Sequence, residues 1–278
     1  MPIHDQGYRH YVGQRVPHGR AWWVIARMHI IGALKQRWFL MVMIGGWGQF
    51  VARTIQIYLS SSFQQASFLA ATSKTFRDFF DAQSFFVFVI AIALGGLIAD
   101  DRRANALQLY LSKPLTRAEY IMGKLVPALV FVLSVTFAPA MMLLLVQVVL
   151  AGSTTFIREN LFLLPAITLY SIVQALLAAF GILALSSLTK SRRFVSVMYA
   201  GTVFFTGAMY QALRAITGSS TWAVISPGQM LDVVADRMFR VRAEPPVPVF
   251  VAVLVLLVLI GASIWILERR IRAVEVVA

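Results

Sequence analysis

The side chains that could perform acid–base, nucleophilic or metal chemistry are few in this sequence. It has twelve acidic residues, four histidines and no cysteine. Without cysteine, disulfides, thiolate nucleophiles and cysteine-ligated metals are excluded. All four histidines precede residue 30, and every acidic residue falls outside the apolar runs that we interpret as spans. Intramembrane metalloenzymes and ion-coupled carriers place such groups within the bilayer, so the pattern argues against both classes.

Nucleotide chemistry is also not indicated. The single Gly-Lys pair, Gly123-Lys124, would have to belong to the phosphate-binding pattern G-x-x-x-x-G-K-[ST]. Ala118 stands at the first glycine position, and Leu125 stands where a hydroxyl residue is needed. We therefore predict that the chain is not itself an enzyme and that it contains no catalytic, cofactor-binding or metal-binding residues.

The composition predicts an integral membrane protein. Of the 278 residues, 59% are hydrophobic and 13% are charged, which is more apolar than soluble domains usually are. The net charge of +13 could indicate nucleic acid as a partner, but the basic residues stand at the ends of apolar runs. That placement is typical of a membrane surface, so we expect lipids and no nucleic acid as partners.

The elements that position these residues are predicted to be all α-helical, in a single transmembrane domain over residues 1–278. Residues 1–37 form a tail and an amphipathic interfacial helix, in which Trp22, Trp23 and Arg27 suit the headgroup region. About twenty residues cross a hydrocarbon core of about 30 Å. Six spans follow, at about residues 38–59, 84–99, 125–151, 161–188, 194–213 and 247–267.

Orientation follows from the basic residues. With the N-terminus inside, 17 lysines and arginines fall on that side and 7 on the other. Because basic residues favour the cytoplasmic side of the membrane, we predict cytoplasmic N- and C-termini. Arg53 is the exception within a span. It can snorkel to the far interface, and the alternative is that it lines a substrate path.

The loop after the second span has the most specific pattern. Asp101 is predicted to cap a short helix, and Arg103, Leu107 and Leu111 share one face at a spacing of four. Pro114 ends that helix, and Thr116 to Glu119 has the form of a capping box for the next helix, with Pro127 expected to kink or restart it. The plain alternative is a solvated connector lying on lipid headgroups.

The stretch from Gly96 to Leu125 resembles the signature of the type-two exporter permeases of ATP-binding-cassette (ABC) transporters. It supplies the acidic-basic cluster Asp100–Arg103, the leucine-rich segment Leu107–Leu111, the Ser112-Lys-Pro-Leu-Thr-Arg117 turn and Gly123-Lys124. The segment Trp23–Leu40 is similar to the family's amphipathic helix before the first span. Two positions depart from the pattern, because His29 stands where glutamate is usual and Asp100-Asp101 replaces a glutamate pattern.

The resemblance implies a coupling helix between spans two and three that docks on a separate ATPase subunit. That partner, expected in two copies, would carry ATP and Mg, while this chain would pair with a second permease copy in a bacterial inner membrane. The implied ATPase contacts are Asp101, Arg102, Arg103, Leu107 and Leu111. A second contact is predicted at Lys190, Arg192 and Arg193, although the positive-inside rule alone also explains these three.

Cargo is predicted from the span composition. The spans are rich in large apolar residues, which favours export of a hydrophobic or amphipathic substrate, with any anionic group meeting Arg53. Three alternatives remain open: a permease that serves assembly or maturation of an extracytoplasmic protein, a secondary carrier or channel, and a membrane enzyme.

The segment 214–246 on the far side is predicted to contain a helix that starts at Ile225-Ser-Pro-Gly228 and carries the stripe Leu231, Val234, Met238 and Val241. We expect it to lie on the membrane or to cap the path; the alternative is that it only closes the bundle.

Overall fold

The computed structural model describes residues 21–62, 72–106, 115–151, 160–242 and 247–271, and every regular element within them is a helix. A 3-10 helix spans Ser220–Ile225. The α-helices are α1 (Ala21–Leu34), α2 (Arg37–Ser62), α3 (Ser73–Ala93), α4 (Gly96–Arg103), α5 (Arg117–Val135), α6 (Phe137–Ala151), α7 (Leu163–Leu188), α8 (Arg192–Thr217), α9 (Pro227–Met238) and α10 (Val249–Arg270).

Four helical runs in the described part of the chain are long and apolar enough to cross a membrane. They are Ser73–Arg103, Arg117–Leu150, Leu163–Leu188 and Val249–Arg270. The helices α2 and α8 have 26 residues each, which is sufficient length, but neither contains a stretch as apolar as these four. An all-helical, multi-pass membrane fold is therefore confirmed, and the count of six spans stays a prediction.

The second span begins earlier than predicted. Helix α3 starts at Ser73, after the capping box of Thr72 and Thr75, because Phe76, Phe79 and Phe80 are fully buried and extend the core in that direction. Asp78 and Asp81 consequently lie on the same helical run as the span. We predicted this span from about residue 84, so both acids still lie outside the predicted range, on the helical turns that precede it.

The third span is interrupted at a different residue from the one predicted. The capping box is confirmed, since Thr116 Oγ1 accepts from Glu119 N at 3.2 Å and Glu119 Oε2 accepts from Thr116 N at 2.9 Å. Helix α5 runs through Pro127, however, and the break is at Thr136. Thr136 Oγ1 donates to Val132 O at 2.9 Å, a back-bond that often bends helices.

Helix α1 packs along α5, and a glycine sets their separation. A Cβ atom at Gly123 would lie 2.9 Å from the Ile25 Cβ, which is closer than van der Waals contact allows. Ile25 and Ala26 are buried against α5, while Trp23 and Met28 remain about half exposed. A location of α1 at the membrane interface stays a prediction.

The far-side helix belongs to the bundle. Helix α9 starts where predicted, with Ser226 Oγ accepting from Gln229 N at 3.5 Å. It packs against α7, α8 and α10, and its buried face is centred on Val233 and Val234. Leu231 and Met238, which belong to the predicted stripe, flank that face and are only partly buried.

Candidate functional site

The loops at one end of the bundle meet in a single surface. We call this the inner end, following the predicted orientation. Helix α4 contacts the C-terminal end of α7 and the start of α8. Ser186 is central to the contact: its Oγ accepts from Ile98 N at 3.1 Å and Ala99 N at 2.9 Å, and donates to Gly95 O at 2.6 Å. The two predicted ATPase contacts, one after the second span and one after the fourth, are thus adjacent.

Two of the predicted contact residues tie these loops together. Arg102 donates to the carbonyl oxygen of Ser187 at the end of α7. Arg192, at the start of α8, donates to Ala93 O at 2.7 Å at the end of α3. Each guanidinium binds a helix C-terminus, where carbonyl groups lack intrahelical partners and the helix dipole favours a cation. Both side chains therefore position the loops against the bundle.

Asp101 does not have its predicted role as a cap. It lies within α4, and its carboxylate points toward α5, where Oδ2 accepts from Tyr120 Oη at 2.7 Å and Lys124 Nζ at 2.6 Å. Lys124 is fully buried and also donates to His29 Nε2 on α1 at 2.7 Å. We call His29, Asp101, Tyr120 and Lys124 the inner network. Asp101 faces α5 because the buried ammonium of Lys124 requires a carboxylate partner.

The inner network keeps His29 neutral. The pKa of His29 is lowered to about 4, first by burial and then by the adjacent Lys124 ammonium, while Asp101 acts in the opposite direction. Neutral imidazole is the form that can accept the proton of Lys124.

The other predicted contact residues are placed as follows. Arg103, Lys190 and Arg193 are exposed at the inner end. Leu107 and Leu111 lie outside the described residues. Within the described inner surface, the basic side chains that remain accessible thus come from both predicted contacts.

A cavity of about 340 Å³ lies between α3, α7, α8, α9 and α10. Asp81 and Ser84 on α3, with Asp232 on α9, surround its outer part, and Gln174 on α7 faces the same region. Farther inward the lining is mostly apolar and aromatic: Val87, Phe88, Leu177, Ala178, Gly181, Ala184, Leu185, Tyr199, Val203, Leu259 and Ile266. Asp81 and Asp232 are the charged residues among the described residues that line the cavity.

The carboxylates at the outer part belong to an ion-pair cluster that links α3 to α9. Arg77 donates from Nη2 to Asp232 Oδ1 at 2.7 Å and from Nε to Asp236 Oδ1 at 2.6 Å. Its Nη1 lies 3.9 Å from Asp81 Oδ1. We call these four residues the outer cluster. Three carboxylates surround one guanidinium, so the cluster has an excess of negative charge when all are ionised.

Asp232 titrates unusually within this cluster. The pKa of Asp232 is raised to about 6: burial is the main cause, Arg77 opposes the shift, and Asp81 and Asp236 contribute to it. Desolvation penalises the carboxylate, and the neighbouring negative charges add to that penalty. A second cation next to Asp232 would favour its ionised form.

Arg53, the candidate substrate-path residue, is not at this cavity. Its Nη1 donates to Gln56 Oε1 on the same helix at 2.8 Å. A separate groove of about 570 Å³, between α2 and α6, begins at the adjacent Thr54, but its lining does not include Arg53. A role of Arg53 in cargo recognition stays a prediction.

Neither the inner network nor the outer cluster was identified from the sequence. A weak signal existed for the first, because Tyr120 and Lys124 are four residues apart on one helix face. Asp232 and Asp236 have the same spacing. Their partners are distant in the chain, with Arg77 separated from Asp236 by 159 positions, so nothing local marks the pairing.

The family comparison covers both regions. A family model described as "ABC-2 family transporter protein" matches residues 23–270. No curated protein matches the chain. The matched range contains the inner surface and network, the cavity and the outer cluster.

Proposed function

Because the chain belongs to the ABC-2 family of transporter proteins, we propose that it is the membrane-spanning permease subunit of an ABC exporter. The family is a membrane transport component that normally works with an ABC ATPase subunit. In this proposal the ATPase is a separate protein that carries ATP and Mg, and the cargo is hydrophobic or amphipathic. The chain sits in a bacterial inner membrane with both termini in the cytoplasm.

The observation that carries the proposal is the joining of the two inner loops. A partner that pushes on one element of this surface moves several helices at once, since Arg102 and Ser186 connect α4 to α7, and Arg192 connects α8 to α3. Helices α3, α7 and α8 also line the cavity. Closure of the ATPase could therefore reach the cavity through hydrogen-bonded contacts, without a flexible linker between them.

The exposed basic residues supply the contact chemistry. Arg103, Lys190 and Arg193 would meet acidic or carbonyl groups of the ATPase, and Leu107 with Leu111 would supply its apolar part. Two permease copies and two ATPases would complete the transporter. Such oligomers are usually symmetric, so each ATPase would meet an identical inner surface.

Co-purification with the ATPase tests the proposal. The change Leu107→Asp with Leu111→Asp should abolish recovery of the co-expressed ATPase and leave membrane insertion intact, because it places two carboxylates in an apolar contact. A matched control is Trp222→Asp with Val224→Asp, two exposed apolar residues of the 3-10 helix on the opposite side in the predicted orientation. Full recovery of the ATPase with the first variant would overturn the docking assignment.

A secondary carrier is the second candidate, because Asp232 with its raised pKa stands at the cavity. ATP dependence separates the two. In vesicles, transport by the exporter should stop when the ATPase is inactivated by mutation. Transport that continued under a proton gradient alone would favour the carrier.

The Arg53 prediction has its own check. If an anionic group of the cargo meets Arg53, export should fall with Arg53→Ala and fall less with Arg53→Lys, since lysine keeps the charge. Unchanged export by Arg53→Ala would leave Arg53 as an interfacial anchor hydrogen-bonded to Gln56.

A further inference from the structure

We propose that the cavity between α3, α7, α8, α9 and α10 binds an alkylammonium amphiphile, with its amine held by Asp81, Asp232 and Gln174 and its alkyl chain directed toward the inner end. The statement that this ligand is the cargo of the exporter rests on the proposed function. The binding site itself is argued from the cavity alone.

Charge is the first argument. Asp81 and Asp232 line the cavity, whereas Arg77 does not. The guanidinium of Arg77 is engaged by Asp232 and Asp236, and its contact with Asp81 is longer, at 3.9 Å. One positive charge thus faces three carboxylates, and the side chain of Asp81 is 72% exposed. A cation entering the outer part would meet uncompensated negative charge. An anion would be repelled there.

Gln174 is the second and independent argument. Its side chain is 3% exposed and its Oε1 has no hydrogen-bond partner among the residues that the structure describes, while its Nε2 donates to Ser84 Oγ at 3.2 Å. Buried amide oxygens are normally hydrogen-bonded, and leaving one unpaired is costly. Gln174 lines the cavity, so a ligand N–H group would supply the missing donor. A protonated primary amine supplies both the positive charge and the N–H group.

The shape of the cavity favours a single chain. Its lining on α7 extends from Tyr170 to Leu185, and at about 1.5 Å per residue this is about 22 Å along the helix. A volume of about 340 Å³ over that length suits one alkyl chain better than a wide ring system.

The polarity of the cavity lining changes along the length of α7. The polar side chains Asp81, Ser84 and Gln174 lie at the outer part, and the inner part ends at Leu185 and Ile266. Two hydroxyl groups farther along are already bonded within their own helices, Thr202 to Met198 O and Ser263 to Leu259 O. The arrangement is amphipathic, and it gives the ligand one orientation.

Protonation of Asp232 should control binding. Its pKa of about 6 means that the carboxylate is charged at pH 7.5 and largely neutral at pH 5. The titratable or charged groups facing it are Arg77, Asp81, Asp236 and Tyr170. We expect affinity for the ammonium ligand to fall as the pH is lowered through 6.

The test is equilibrium binding to the permease in lipid nanodiscs, with binding to empty nanodiscs subtracted. The three probes carry the same dodecyl group and differ in their head groups: dodecylammonium, dodecyltrimethylammonium and dodecanol. The wild type should bind dodecylammonium tightest at pH 7.5. Asp81→Asn and Asp232→Asn should each weaken it about tenfold by removing one charge interaction, and Gln174→Leu should weaken it about threefold.

Matched controls separate these effects from misfolding. Asp78→Asn removes a nearby acid on α3 that does not line the cavity and should bind like the wild type. Gln174→Leu should not affect dodecyltrimethylammonium, which has no N–H to donate. If Asp232→Asn fails to fold, Asp81→Asn still tests the charge, because its side chain is mostly exposed.

The proposal is overturned if dodecanol binds as tightly as dodecylammonium, or if Asp81→Asn and every folded Asp232 variant bind like the wild type. The ATPase test is independent of this measurement. If the wild type does not bind dodecylammonium but still recovers the ATPase, the ligand class is wrong and the exporter proposal stands. If dodecylammonium binds but no ATPase associates, the binding site stands and the exporter proposal is wrong.

Discussion

Several charged side chains in this protein connect helices that are distant in the sequence. Arg77 joins α3 to α9, Lys124 joins α5 to α1 and α4, and Arg102 joins α4 to α7. Buried ion pairs add little net stability compared with apolar packing, but removing one partner leaves an uncompensated charge. At the scale of residues, these pairs are therefore expected to be the positions most sensitive to single substitution.

The outer cluster gives the first prediction. Arg77→Met should destabilise the protein by about 3–5 kcal/mol, because it leaves the buried carboxylate of Asp236 beside Asp232 without a counter-charge. Thermal unfolding in detergent measures the change. Arg53→Met is the control, since Arg53 bonds only within its own helix among the described hydrogen bonds and should cost far less. Equal effects of the two substitutions would contradict a structural role for the outer cluster.

The inner network predicts a pH dependence of stability. The pKa of His29 is lowered to about 4 in the folded protein, from an ordinary value of 6.5. The unfolded chain therefore takes up a proton first as the pH falls. The stability contributed by neutral His29 is complete above pH 6.5 and is lost as the pH falls toward 4.

His29→Gln isolates this effect. Glutamine can still accept from Lys124 but does not titrate, so between pH 7.5 and 4.5 the variant should lose roughly 1–2 kcal/mol less than the wild type, allowing for partial solvent screening. Groups near His29 on other elements are Lys124, Asp100, Asp101 and Arg192. They are shared by both proteins, as is Asp232, so their contributions cancel in the difference. Parallel pH profiles would show that His29 is not the titrating group.

At the scale of elements, close approach between helices depends on small residues at a few points. Helix α1 lies against α5 at Gly123, and α4 starts where Gly96 faces Arg192 Cδ, 3.0 Å from the position of a Cβ atom. Neither contact is visible as a hydrophobic stripe. In each case the absence of a side chain permits the close packing of the two elements.

Gly123→Ala tests the packing of α1. Its methyl group would meet Ile25 Cβ at 2.9 Å and Trp22 O at 3.1 Å, so α1 must shift, and we expect a cost of about 1–3 kcal/mol. Gly32→Ala, within α1, has no described atom within 4 Å of the new methyl group and should be neutral or stabilising by up to about 1 kcal/mol. Thermal unfolding compares the two variants. A stabilised Gly123→Ala would mean that α1 is not packed against α5 as described.

At the scale of the whole molecule, the inner surface and the outer cluster lie at opposite ends of α3. The 31-residue run Ser73–Arg103 is about 46 Å long at 1.5 Å per residue, which exceeds the hydrocarbon thickness of about 30 Å. Its two ends must therefore project beyond the hydrocarbon core if it stands upright. The predicted orientation puts the ATPase surface inside and the outer cluster outside.

Cysteine labelling tests that orientation directly, since the chain has no cysteine of its own. Cysteines at Ser191 and Thr221, both exposed, should behave oppositely toward an impermeant maleimide in intact cells. Thr221→Cys should be labelled, and Ser191→Cys should be labelled only after lysis. Labelling of Ser191→Cys in intact cells would reverse the topology and place the proposed ATPase surface on the wrong side.

Much of the architecture could be predicted from the sequence, because its causes are local. Apolar runs of sufficient length predict membrane helices whatever their neighbours are. The capping box at Thr116–Glu119 and the start of α9 at Ser226-Pro227 depend on residues within one turn, and both are confirmed. The ordered motifs between Gly96 and Leu125 identified the family, which the comparison confirmed.

The tertiary structure alone decided the roles of the ionisable residues. Asp101 has the sequence context of a cap, yet it binds Lys124 because α4 and α5 meet there. Asp81 and Asp232 are 151 positions apart in the chain and line one cavity because Arg77 holds α9 against α3. Burial, charge compensation and pKa depend on which helices become neighbours, and that property is absent from any short stretch of sequence.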